Sequence, residues 1–189
     1  VSALYFGGIS LACEPGAEAY AALLANEGSG RAVMLDPNIR TGFIEDAERY
    51  RVRLDRMIAV ADIVKISDED LDWIAPGAHS LEAKARTLLE TGPALVILTQ
   101  GSEGATGFLR GGAEVHAPAE KVEVVDTVGA GDTFNAGVLA KLSEHGALRK
   151  DRLAALAPEV VEQALRFGAR VAAVTVSRAG ANPPWADEL

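Results

Sequence analysis

Gly129, Ala130, Gly131 and Asp132 run from a short apolar stretch into a helical pattern, and residue types at this spacing can handle an anion. Gly129 and Gly131 permit backbone conformations closed to other residues, so that consecutive amides can point at one spot. A helix N-terminus behind them adds unpaired amides and a favourable dipole. Together these groups suit a transferring phosphoryl group. Asp132 stands where loop becomes helix. A carboxylate beside developing negative charge is unfavourable unless it does chemistry, and accepting the proton of a hydroxyl that attacks a terminal phosphate is such a task. The competing reading is that Asp132 caps the helix. The glycines do not form a dinucleotide fingerprint, because Phe134 takes the place of the third glycine, and no Gly-Lys-Ser/Thr follows to make a P-loop.

Two further loops leave the ends of apolar runs, where polar groups of an α/β sheet converge on a crevice. Thr99-Gln-Gly-Ser-Glu-Gly104 reads either as a nucleotide loop or as a plain turn. Asp36-Pro-Asn-Ile-Arg40 reads on its own as a turn fixed by proline at the end of a strand. Asp68, Glu69 and Asp70 favour the first turn of a short helix.

The elements that position these loops alternate between short apolar runs and amphipathic segments, a pattern that predicts an α/β layer structure around a mainly parallel sheet. Strands are expected at 3–6, 32–35, 63–66 and 94–99. Helices are expected from Pro15 to about Glu27, between Glu45 and Ala61, from Asp68 to Ile74 and from Ser80 to about Glu90. In the second of these, Tyr50, Leu54, Met57, Ile58 and Ala61 recur at helical spacing, and Arg49, Arg51, Arg53 and Arg56 read as a solvated face. Gly111 and Gly112 separate two runs of a β-hairpin. After it come a short strand to Val125, the glycine loop, a helix from about Asp132 to Glu144 and a last helix from about Pro158 to Val174.

The 189 residues form one domain, with 49% hydrophobic and 24% charged residues, as in ordinary globular proteins. No apolar run approaches the roughly 20 residues that span a bilayer. Cys13 has no intramolecular partner, and the start lacks a signal-peptide pattern, so the chain reads as cytoplasmic. A net charge of −9 without a basic stripe argues against nucleic acid and membrane as partners. An anionic substrate is then held by local amides, a cation or a few placed basic groups. His79, His116 and His145 show no metal-ligand spacing. The chain opens at Val1 directly in a strand-like run, which reads as a fragment.

Asp126-Thr-Val-Gly-Ala-Gly-Asp132-Thr-Phe closely resembles the C-terminal signature of the ribokinase-like, or phosphofructokinase-B, sugar kinases, and the resemblance covers essentially the whole chain. It implies a three-layer α/β/α Rossmann-like fold that lacks the family's N-terminal sugar-binding part and lid. It implies Asp132 as catalytic base, an anion hole at Gly129, Ala130 and Gly131, and ATP contacts at Thr99, Gly101, Gly104 and Ser67. Asn38 and Arg40 would face substrate and phosphate. Asp70 would hold Mg2+ through water, although Ser67 and Asp70 stand where the family usually has asparagine and glutamate. Asp126, with the stretch Val174 to Asn182, would form a monovalent-cation site, with K+ the candidate. Ala169 stands where an adenine-contacting asparagine is usual. Within the family, Phe6-Gly-Gly-Ile-Ser10 and the neighbouring motifs look most like bacterial fructokinases. Fructose and ATP are thus the expected substrates, 2-keto-3-deoxygluconate is the alternative sugar, a non-catalytic binder is the alternative class, and the complete protein is a candidate homodimer. The portion alone is expected to be inactive.

Overall fold

The computed structural model describes residues Val1–Leu189. Six strands form one sheet in the order β1-β2-β3-β4-β5-β6: β1 Ala3–Gly7, β2 Ala32–Asp36, β3 Ile63–Ser67, β4 Leu95–Thr99, β5 Ala105–Leu109 and β6 Glu114–Ala117. The first four pair in parallel, and β5 and β6 close the edge as antiparallel neighbours. Helices α1 Gly16–Glu27, α2 Ala47–Val60, α3 Asp68–Ile74 and α4 Leu81–Glu90 supply the crossovers between parallel strands. Crossovers that always step to the next strand in one direction place their helices on one face. Helices α5 Ala130–Glu144, α6 Lys150–Leu153 and α7 Pro158–Val176 cover the other, giving the expected α/β/α layers.

The pleat sorts each strand's residues between two cores. Val33, Leu35, Val64, Ile66, Val96 and Leu98 belong to a cluster of 20 buried residues with α1 to α4. Met34, Ile63, Leu95 and Ile97 belong to one of 16 with α5 and α7. Parallel strands buried on both faces carry near-continuous apolar runs, which is why they stand out in the sequence. Gly112, at φ +89, turns the hairpin, and Gly104, at φ +99, approaches β6 so closely that a Cβ there would lie 2.2 Å from the carbonyl oxygen of Ala117.

Three expectations need correction. No strand leads to Val125: the amides of Val125 and Asp126 bond instead to the carbonyl oxygen of Val176 at the end of α7, and Val122, Val124 and Val125 are exposed. Helix α5 starts at Ala130 rather than Asp132, because Gly129 adopts φ +80 and forms its N-cap. The arginines of α2 are not a uniformly solvated face. Arg53 is 6% exposed, donates to the Leu11 carbonyl oxygen at 3.0 Å and pairs with Glu14, while the Arg51 guanidinium lies over Trp73. Arg53 thus lies against the loop before α1 and Arg51 against α3, and the buried Arg53 cation survives by pairing.

Candidate active site

The carboxyl ends of β1 to β3 and the N-terminus of α5 meet on the α5 face of the sheet. Gly129 caps α5 with no side-chain hydrogen bond, and Asp132 occupies the third helical position, exposed and making no capping bond. The helix-cap reading of Asp132 is therefore excluded. The amides of Gly129, Gly131 and Asp132 find no acceptor within the chain, while that of Ala130 makes a 3.3 Å bond to the Thr127 carbonyl oxygen. The expected cluster at 129–131 thus includes the Asp132 amide and draws less on Ala130. Thr133 tightens the turn by donating from Oγ1 to the Gly129 and Ala130 carbonyl oxygens at 3.0 and 3.2 Å.

Behind this loop lies a polar cluster that sequence reasoning missed. Asp36 ends β2 fully buried, and its Oδ2 accepts from Lys65 Nζ at 3.2 Å and from Asn135 Nδ2 at 2.7 Å. Asn135 also donates to Tyr5 Oη at 3.2 Å, and Tyr5 Oη lies 3.4 Å from Asp132 Oδ1. Lys65 Nζ reaches within 3.4 Å of where a Cβ on Gly131 would stand, which puts a buried cation directly behind the amide loop. Burial, then the Asp36 charge, pushes the Tyr5 phenol well above its ordinary range. Its hydroxyl therefore stays protonated. Asp36 Oδ1 and Asn135 Oδ1 are buried without partners. Polar groups left short of partners are costly, so this cluster is not explained by packing alone.

Asp36-Pro-Asn-Ile-Arg40 leaves β2 beside the cluster. Asn38 is half-buried at φ +41, Ile39 is buried, and Arg40 is exposed with one guanidinium nitrogen 3.1 Å from the Ile39 carbonyl oxygen. Asp70, buried in the first turn of α3, accepts the Ile39 amide at 3.1 Å through Oδ1, so it fastens this loop. Burial holds its carboxyl above the usual aspartate range. Ser67 caps α3 by accepting the Asp70 amide at 3.1 Å. One oxygen of Asp70 remains for other partners, and Mg2+ commonly takes one or two carboxylates plus substrate phosphates and waters. The donor set fits a nucleotide-borne Mg2+, whereas no group of three or more His, Cys, Asp or Glu is placed to hold a metal by itself.

The two remaining loops differ. Thr99, half-buried, ends β4 with Oγ1 3.4 Å from the Ile66 carbonyl oxygen, and Gly101 is exposed at φ +53. Gly104 has its own structural reason in the close approach to β6. Asp126 lies across the glycine loop, where its oxygens accept the Val128 amide at 3.0 Å and the Gly180 amide at 2.9 Å. These two bonds, Val128 first, draw its carboxyl below the usual range. A carboxylate is a hard oxygen donor of the kind a monovalent cation takes. Ala169 sits half-buried on α7.

A mainly parallel sheet between helix layers, with a glycine loop opening a helix at its carboxyl edge, defines the ribokinase-like class of α/β fold. Within it, the chain belongs to the pfkB family carbohydrate kinases, whose profile matches residues 1–188. A fructokinase of Rhizobium leguminosarum bv. trifolii is 50% identical over 167 residues, covering 88% of this chain and 49% of its own length. One of Klebsiella pneumoniae is 40% identical over 187 residues, covering 98% and 59%. A Vibrio cholerae O395 fructokinase double mutant, solved with fructose, ADP and potassium ion bound, superposes with a TM-score of 0.81 at 26% identity, covering 95% of this chain and 55% of that one. The chain spans about half the length of the curated relatives it matches.

Proposed function

We propose that this chain forms the nucleotide-binding and catalytic part of an ATP-dependent fructokinase, with Asp132 as the general base. The observation that carries the reading is Asp132 itself, an exposed carboxylate at the third position of α5 that makes no cap and stands beside free amides. In the forward step the carboxylate accepts the proton of a sugar hydroxyl as its oxygen attacks the γ-phosphorus of ATP. The P–O bond to the ADP leaving group breaks as the new one forms. The amides of Gly129, Gly131 and Asp132 hold the transferred group, with Lys65 behind them adding positive charge.

Thr99, Gly101, Gly104 and Ser67 contact ATP in this reading, and Asn38 and Arg40 face the sugar and its phosphate. Asp70 would hold a nucleotide-borne Mg2+ through water, and the ion would supply charge to screen the phosphates. Asp126 would hold K+, which would supply positive charge beside the loop. Supporting the choice of sugar, the relatives named above are fructokinases. A part about half their length keeps little sugar selection, so the 189 residues alone are expected to show little or no turnover.

The deciding experiment is a coupled ADP-release assay of the full-length protein with Mg-ATP and a sugar panel. Highest kcat/KM with fructose is expected. Preference for 2-keto-3-deoxygluconate would transfer Arg40 to a carboxylate, and sugar binding without ADP release would leave a non-catalytic binder.

A further inference from the structure

We propose that Tyr5 is a positioning residue for Asp132, directing the carboxylate through its hydroxyl while Asn135, Asp36 and Lys65 fix the hydroxyl in turn. The inference rests on Asp132 being the base, and adds a part that comes from the far end of the chain, 127 residues away.

The direction of every bond in the chain is set by charge. Asp36 is a buried carboxylate beside the Lys65 ammonium, so the group facing Asp36 from Asn135 must be a donor, which fixes the amide with Nδ2 inward. Reversing that amide would set its carbonyl oxygen against the carboxylate. The second Nδ2 proton then goes to Tyr5 Oη, which accepts it. A phenol that has accepted still has its own proton to give, and Asp132 Oδ1 is the acceptor in reach. The elevated Tyr5 phenol pKa keeps that proton in place. At 3.4 Å the contact is longer than an ordinary O–H···O bond, as catalytic bonds often are before substrate arrives.

Backbone geometry makes room for the arrangement. Tyr5 and Gly7 share one face of β1, and the ring leans along the strand over Gly7. A Cβ there would lie 2.9 Å from Tyr5 Oη and 2.8 Å from the Asp36 carbonyl oxygen. Glycine at this position keeps open the path by which a strand residue reaches the first turn of α5.

The test uses the full-length protein with Mg-ATP and fructose, or whichever sugar of the panel supports turnover. Tyr5→Phe, Asp132→Asn, the double variant and Gly7→Ala are compared, each with a thermal melt. Tyr5→Phe is expected to lower kcat roughly tenfold or more, the worth of a hydrogen bond to a charged group, with KM for ATP changed less than about twofold. In the Asp132→Asn background the same change should alter the residual rate by less than about twofold. Gly7→Ala, which keeps the hydroxyl but takes its space, should mimic Tyr5→Phe. Equal losses from Tyr5→Phe in both backgrounds, or an unchanged kcat while Asp132→Asn is crippled, overturn the positioning role and leave the base assignment standing. An unimpaired Asp132→Asn overturns both.

Discussion

A Cβ on Gly137 of α5 would lie 2.9 Å from the Cα of Gly168 on α7, and a Cβ on Gly168 would lie 2.9 Å from the Phe134 carbonyl oxygen. Two helices thus cross backbone to backbone within two turns of the glycine loop, which fixes where the α5 amides point. Gly168→Ala is expected to destabilise the protein by about 1–3 kcal/mol through overpacking, read as a lower urea midpoint. An unchanged midpoint would show that the helices separate freely.

Asp132→Asn keeps the size of the side chain and removes its ability to take a proton. A fall in kcat of about 10²–10⁴ is expected, with KM for ATP little changed. Steady-state kinetics on the full-length protein measures both.

Lys65→Met leaves the buried Asp36 carboxylate without its cation. Breaking a buried pair in this way costs about 3–5 kcal/mol of stability. Changing Asp36 to Asn in the same chain removes the uncompensated charge, so the double variant should recover part of the loss in urea titration. Additive losses would mean that the two side chains do not depend on each other.

Asp70 has a carboxyl raised by burial, so the folded state holds its proton more tightly than the unfolded chain does. Its contribution is fully present below the ordinary aspartate value of 3.8 and is lost as pH rises through the elevated folded value. Asp70→Asn keeps an oxygen for the Ile39 amide and cannot titrate. Urea midpoints followed upward from pH 4 should fall less steeply for the variant than for the parent.

Asp126→Ala removes the acceptor shared by the Val128 and Gly180 amides. Activity of the full-length parent is expected to rise with added K+, and that response should vanish in the variant. A preserved K+ response would place the cation elsewhere.

The glycine loop that opens α5 was legible in the sequence because glycine and aspartate types are informative one by one, and the strands because apolar runs mark them. Tyr5, Lys65 and Asn135 were not legible as a group. Each falls inside an otherwise apolar or helical stretch, and nothing local says that Tyr5 and Lys65 face the same side as Asp36. The signal was there in part: a lysine within Ile63-Val-Lys-Ile66 is expensive to bury without a partner, and asking for that partner leads to the acid ending the neighbouring strand. The missing strand near Val125 failed for the opposite reason. Its valines have strand propensity, but the backbone found its acceptor at the end of a helix.

In the parallel pairing of β1 with β2, Tyr5 lies opposite Met34 and Gly7 opposite Asp36. Because neighbouring strand residues face opposite ways, a shift of β1 by one position would turn Phe6 toward α5 and swing the Tyr5 hydroxyl into the other core. A misregistered molecule of this kind could pass every test of compactness and fail at the one oxygen that faces Asp132, so β1 alignment acts as a proofreading point for the site.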